Sequence, residues 1–374
     1  MYHKIFPKYE RDSVFKHLIF SVLILTIFLP SFALAQDDGD SASNVINYII
    51  ANTDDVGFAC YPVDDPDAGV YLNPDEAFLL ASTFKIVILA EYARQVVAGD
   101  LDPQERISTD AVEQYYLANT DGGAHPAWLE DTEIDADNTI ALSDVPRGMI
   151  TFSSNAATDY LMARLAENAD YGALYELVGM ENTRLPQSII GLFLILVNPE
   201  DGVVDLETLT QETQRSRALV QEDQFVSDAD YRDSTSEFVL GNLPPVTTQT
   251  EFFATYGNAG SARDFTHLMN AIFTGELFGA DESVIMREYL EWAMEFPGIQ
   301  QLFDAFGTKG GSLPGILTSA YFVQPVEGDP VIFSLFFRNL PLDIHQAWSQ
   351  TFDQQNFELV IALNGCDAFS EAIG

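Results

Sequence analysis

The chain has 374 residues, 47% of them apolar, and a net charge of −40 from 57 acidic against 17 basic residues. That length and apolar content suit one large core or two fused lobes and exclude a disordered acidic tail. The charge excludes nucleic acid and anionic lipid as partners by repulsion and leaves the fold open.

Residues 1–35 read as a secretory signal peptide. Lys4, Lys8, Arg11 and Lys16 precede an apolar run at 18–29, and Ala33-Leu34-Ala35 has the small-x-small form of a cleavage site, which places the mature N-terminus at Gln36. No Cys follows the run, so a lipid anchor is not indicated, and the later apolar stretch 189–197 is too short to span a bilayer. The expected location is secreted, periplasmic or on the envelope exterior, without membrane contact after cleavage. Cleavage removes four basic and two acidic residues and takes the net charge to −42.

Residues 36–45 read as a loose terminus and 44–52 as a helix. Two strands, 56–63 and 68–74, are joined by the acidic turn 64–67. Residues 82–99 form a helix apolar on nearly every face, hence buried, which Gly99 ends. The stretch 100–180 is mainly helical, most clearly at 157–169. A polar helix or insertion covers 206–225, and an amphipathic helix covers 261–275. Three strands follow, 304–312, 315–325 and 330–340, with turns at 313–315 and 327–330, and a helix at 353–366 closes the chain. No internal repeat is present. Strands at both ends with helices between them predict one sheet built from both termini and a helical lobe inserted between, with a cleft where they meet.

Lysine is nearly absent after residue 16; Lys85 and Lys309 stand out, each beside serines and glycines. Ser82 and Lys85, at i and i+3, share one helix face. A hydroxyl becomes a nucleophile when a base takes its proton, and a lysine can be that base if burial, a second cation or the helix dipole lowers its pKa. Ser153 and Asn155 open a later helix; the hydroxyl can relay a proton and the amide can hold a carbonyl. In Lys309-Gly310-Gly311-Ser312, the ammonium suits a substrate carboxylate as a fixed cation, the glycines admit another backbone, and the Ser312 N–H can complete an oxyanion hole with that of Ser82. Taken singly, each piece also fits a cap or a surface turn.

Together, Ser-x-x-Lys, Ser-x-Asn and Lys-x-Gly, in this order, resemble the signatures of the penicillin-recognising serine hydrolases, and the segments around them resemble a class A beta-lactamase over roughly 50–340. "GMENTRL" (179–185) and "GSARDFTHLM" (260–269) belong to the same likeness. The resemblance implies an α/β (α+β) fold: a mostly antiparallel sheet flanked by helices with an inserted all-α lobe. The single domain is 36–374, with its sheet part at about 44–105 and 255–374 and its lobe at about 106–254. It implies Ser82 as the acylated nucleophile, Lys85 as its base, Ser153 as proton relay, Asn155, Lys309 and Gly311 on the substrate, and Ser312 as oxyanion donor. No cofactor is implied, and a monomer acting on a small molecule is expected.

The sequence departs from the family in four places. Ser154 stands where the family usually has Asp. Gly310 replaces a hydroxyl residue that would help bind a carboxylate. After "TRL" the family's deacylating glutamate and its asparagine are missing; Ile189 and Phe193 occupy about those positions, and no carboxylate follows until Glu200. Slow hydrolysis of an acyl-enzyme is expected. A long acidic insertion at about 199–250 follows.

The two cysteines, Cys60 and Cys366, suit a disulfide in an exported chain, and in the implied fold their elements are adjacent. Residues 130–138 resemble a calcium loop lacking its glycine and final glutamate, and read as a solvated acidic loop. Histidines are few, no Gly-x-Ser-x-Gly occurs and no zinc-ligand cluster is present, so Ser-His-Asp and metal-assisted hydrolysis have little support. Three functions remain: a beta-lactamase, a D-Ala-D-Ala peptidase or related amidase or esterase, or a slowly deacylating penicillin-binding sensor.

Overall fold

The computed structural model describes residues 39–63, 65–197 and 209–373. The expected signal peptide at 1–35 and Glu200 lie outside them.

The chain opens with helix α1 (Gly39–Ala51), then strands β1 (Val56–Pro62), β2 (Val70–Leu72) and β3 (Phe78–Leu79). A 3-10 turn at Ala81–Phe84 leads into α2 (Lys85–Ala98), which stops at Gly99 in the left-handed region, φ +80°. Next come β4 (Arg106–Ser108), α3 (Thr109–Glu113), α4 (Ala124–Asp131), β5 (Thr139–Ala141), α5 (Asp144–Arg147), α6 (Asn155–Leu165), α7 (Tyr171–Val178) and α8 (Ile189–Val197). Then come α9 (Gln211–Ser227), α10 (Ala229–Gly241), α11 (Val246–Tyr256), β6 (Ala259–Gly260), α12 (Ala262–Thr274), α13 (Ala280–Leu290) and α14 (Pro297–Gln300). The chain closes with β7 (Phe303–Leu313), β8 (Ile316–Pro325), β9 (Val331–Phe337), α15 (Leu342–Thr351), α16 (Asp353–Asn364) and α17 (Asp367–Ile373).

The main sheet has strand order β2-β1-β9-β8-β7 and every pairing described is antiparallel. The N-terminal pair therefore meets the C-terminal meander at β1–β9, and β7 is left as an edge. Pleating sends alternate residues to opposite faces. One face packs Ala59, Ala320, Phe322 and Phe336 against α2 and α12, and that core runs on into the helical lobe. The other face buries Phe58, Phe333 and Leu335 under α1, α16 and α17. Cys60 on β1 is disulfide-bonded to Cys366, just before α17, and the pair ties the two chain ends across that second core with a sequence separation of 306.

Helix α8 is the run "IIGLFLILV". It is buried because α9, α10 and α11 of the insertion cover it, not because it crosses a membrane. Among the described residues no helix is long and apolar enough to do so. Two features were illegible in the sequence. The short β4–β5 pair inside the nominally helical lobe is three residues a side, too brief for a periodic signal. Helix α15 falls between the last expected strand, which ends at 340, and the closing helix from 353, a stretch for which no element is expected. The acidic segment 130–138 is held by ion pairs of Asp131 with Arg147 and Asp135 with Arg106, and among the described residues no carboxylate group forms a metal-holding cluster.

Candidate active site

The edge strand β7, the N-terminal turn of α2 and the start of α6 converge on one cleft of about 960 Å³, lined by Ser82, Ser153, Asn155, Lys309, Gly311 and Ser312 among others. Lysines 224 residues apart in sequence thus meet around one hydroxyl group: Lys85 and Lys309 both donate to Ser153 Oγ, at 3.3 and 3.1 Å.

Lys85 begins α2 and is fully buried. Its ammonium donates to Ser153 O at 2.6 Å and to Asn155 Oδ1 at 3.0 Å. Burial pushes its pKa well down, and the charge of Lys309 pushes the same way; Asp121 and Asp159 oppose them. A lysine so placed gives up its proton more readily than a free one, which suits it to act as a base. Among the described residues Ser82 Oγ forms no hydrogen bond, so the expected Ser82–Lys85 contact is absent at rest and Lys85 is turned to the α6 side. Ala81, just before Ser82, has φ +45°, and Ser153 has φ +69°. Two non-glycine residues in the left-handed region, each costing on the order of 1 kcal/mol, stand beside the two hydroxyls.

Ser153 ends the short helical turn Gly148–Phe152 in the left-handed region and does not cap α6. Ser154 fills that role, accepting from the Ala157 amide at 3.0 Å, and its hydroxyl also meets His125 Nδ1 at 2.9 Å. A serine therefore suffices where the family usually has an aspartate, and Ser153 is left to face the cleft. Asn155 donates its Nδ2 to Thr120 O at 3.1 Å, and Asp121 Oδ2 accepts from the Asn155 amide at 3.3 Å, fixing this corner.

Lys309 is 6% exposed, and burial lowers its pKa to about 7. Among the described residues no carboxylate pairs with it, so burial is unopposed and its charge weakens near neutrality instead of staying fixed. Gly311 explains the glycines. A Cβ there falls 2.6 Å from both Leu80 O and Ser82 N, so strand β7 lies directly on the serine turn. Thr318 Oγ1 fastens the same contact from β8, donating to Leu80 O at 2.7 Å. Gly311→Ala is therefore expected to push β7 off the serine turn. It should cost about 1–3 kcal/mol of stability by overpacking and cut Ser82 acylation by at least about tenfold, read by thermal unfolding and adduct formation. At Gly310, by contrast, an added Cβ meets only Thr318 O, at 3.6 Å, so the family's missing hydroxyl residue is not excluded by space. Ser312 is exposed, and its hydroxyl meets His345 Nε2 of α15 at 3.0 Å.

On the side where the family carries its deacylating carboxylate, the cleft wall is Leu79, Ile189, Leu192, Phe193, Val246 and Phe253. The acids lie behind it. Asp159, buried on α6, accepts from the amides of Ile189 and Ile190 at 2.8 Å each and caps α8. Glu222, from the insertion, accepts from Ser188 Oγ at 2.6 Å. Burial raises both carboxyl pKa values, and for Asp159 the Glu222 charge adds to it. Asp159 was overlooked in the sequence, although its i+4 spacing from Asn155 put it on the same helix face. Glu222 gave no signal, since its partner lies across a long-range contact. The family-like segments 179–185 and 260–269 also meet: Asp264 accepts from the amides of Glu181 and Asn182 and from Thr183 Oγ1.

The model of the Beta-lactamase enzyme family matches residues 41–351, most of the chain. The chain belongs to the beta-lactamase enzyme family. No curated protein sequence is similar enough to register as a relative. Among solved structures, PBP-A matches at 17% identity, covering 88% of this chain and 96% of its own, with a TM-score of 0.52. A point mutant of PBP-A, an acyl-enzyme complex with penicillin G, matches at 17% identity over 89% and 97%, TM-score 0.51. A beta-lactamase from Sphaerobacter thermophilus DSM 20745 matches at 17% over 87% and 97%, TM-score 0.54. At these identities the likeness carries the fold, a beta-lactamase-like antiparallel sheet flanked by helices. Family and fold together make this member a serine hydrolase of the beta-lactamase and penicillin-binding type.

Proposed function

We propose that this family member is an exported acyl-transfer enzyme that attacks a beta-lactam or related amide carbonyl with Ser82 and releases the acyl group slowly. Lys85, neutral, takes the Ser82 proton as the Ser82–carbonyl bond forms; the amides of Ser82 and Ser312 receive the developing oxyanion; Ser153 returns a proton to the leaving nitrogen. Lys309 and Asn155 hold the substrate. The observation that carries the slow release is the apolar wall at Ile189 and Phe193, where the described residues offer a water no base to activate it. The acyl-enzyme complex of the PBP-A mutant with penicillin G shows that this fold accommodates such an adduct.

Mass spectrometry after mixing with penicillin G tests it. A Ser82 adduct that persists for minutes or longer supports the proposal. Rapid turnover without accumulation identifies an ordinary beta-lactamase, and no adduct at all removes the acyl-transfer reading. A D-Ala-D-Ala peptide assay separates the second reading, a carboxypeptidase or amidase, for which the same wall is the favouring observation.

The pKa of Lys309 makes a prediction about pH. Its ammonium is present below about 7 and lost above it. The second-order acylation rate with an anionic penicillin should therefore fall as pH rises through 7, up to about tenfold per unit. Arginine stays charged across this range, so Lys309→Arg should flatten that alkaline limb even if it lowers the maximum. A flat wild-type profile from pH 6 to 9 would refute the assignment.

A further inference from the structure

We propose that the compartment on the far face of strands β7 and β8 binds a small organic cation, an ammonium group carried on an apolar body. The cleft does not end at the serine. It passes over the edge strand at Gly310, where an added Cβ would meet only Thr318 O at 3.6 Å, and continues between the sheet and α15–α16. Strand alternation separates the two sides. Gly311 lies against the serine turn, whereas the hydroxyl of Ser312 meets α15 and Tyr321 of β8 meets α16.

At the base of this compartment sits Glu358, on α16, 2% exposed. Its carboxylate receives three hydrogen bonds: from Ser319 Oγ, from Tyr321 Oη at 2.8 Å and from Gln354 Nε2 at 2.8 Å. Three donors around one carboxylate build a site for the ionised form, while burial raises its pKa to about 7. Among the described residues no cation is paired with it. One turn earlier, Gln355 also lines the space, and its buried Oε1 has no hydrogen-bond partner. Both residues line the one cavity, and a ligand that donates suits a carboxylate without a cation beside an amide oxygen without a donor. The walls are apolar and aromatic, with Trp292, Phe306, Leu317, Phe352 and Leu359, which suits a ring or short chain behind the donating group and adds cation–π attraction. His345 is the ionisable group at the α15 side; burial lowers its pKa, so it presents a neutral ring to an arriving cation. The two compartments therefore have opposite preferences. The catalytic side presents the Lys309 amine, whose charge below about pH 7 repels a cation, and Glu358 on the far side attracts one. The inference is independent of Ser82 chemistry.

Isothermal titration calorimetry of the whole protein in 150 mM salt, about the physiological ionic strength that screens weak surface attraction, tests it with phenethylamine and its neutral counterpart 2-phenylethanol. The expected result is one saturable site for the amine and at least about tenfold weaker binding of the alcohol, the loss of one charge-assisted hydrogen bond. Glu358→Gln should weaken the amine about tenfold or more while Ser82 still forms its penicillin adduct. Leu359→Lys, which puts a tethered ammonium at the same wall, should do the same and decides the matter if the glutamine variant does not fold. The proposal is overturned by equal binding of amine and alcohol, by absence of amine binding, by non-saturating uptake spread over the acidic surface, or by undiminished amine affinity in the variants that fold.

Discussion

Lys85→Ala is expected to abolish acylation of Ser82 while the protein stays folded. General-base removal costs about 10²–10⁴-fold in rate, and here the base also positions the relay, since Lys85 donates to Ser153 O and Oγ and to Asn155 Oδ1. Loss at the upper end of that range is therefore expected. Stability should change little, because two effects oppose each other. A buried lysine whose folded pKa lies below 10.5 binds its proton more readily when unfolded. It lowers stability at pH 7 and does so less as pH rises towards 10.5. Its removal relieves that penalty and leaves Ser153 O and Asn155 Oδ1 without their donor, which costs about 1–3 kcal/mol per buried acceptor. Penicillin adduct formation followed by mass spectrometry, beside a thermal melt, checks both parts. Undiminished acylation in a folded variant would remove Lys85 from the chemistry.

Ile189→Glu should convert a persistent adduct into a turning-over one. Ile189 lines the cleft and its amide is fixed by Asp159 at the start of α8, so a carboxylate introduced here is held on a rigid element. Supplying a base for the attacking water should raise deacylation by about 10²-fold. Its environment sets the pH dependence. The apolar wall, together with Asp159 and Glu222 behind it, raises the new group's pKa by the mechanism that raises theirs. It is protonated and idle at low pH, so the gain should grow from pH 5 to 8. Adduct lifetimes across that range provide the measurement; lifetimes equal to wild type throughout would show that the missing base is not what slows release.

Much of the fold was legible because it is local. Alternating and continuous apolar runs marked the outer strands, and Gly99 marked the end of the serine helix. Ser82 with Lys85, and Ser153 with Asn155, are within a helical turn of each other, so their joint placement is a matter of backbone geometry. The absence of a carboxylate between Leu185 and Glu200 was likewise readable as composition, and the apolar run there supplies Ile189, Leu192 and Phe193 to the cleft.

Other properties depend on what each group faces across the fold. Lys309 reads as a plain cation in sequence; burial beneath the lobe makes it titratable near neutrality. Ser154 reads as a lost aspartate, yet His125, 29 residues away, gives its hydroxyl a partner. Asp159 and Glu222, 63 residues apart, become neighbouring buried acids only when the insertion folds over α8. Sequence by itself determined which side chains were available and which neighbours along a helix or strand they would have. Tertiary structure alone decided their protonation, their hydrogen-bond partners and the shape of the cleft, because desolvation and long-range contacts exist only once distant segments exclude water from one another.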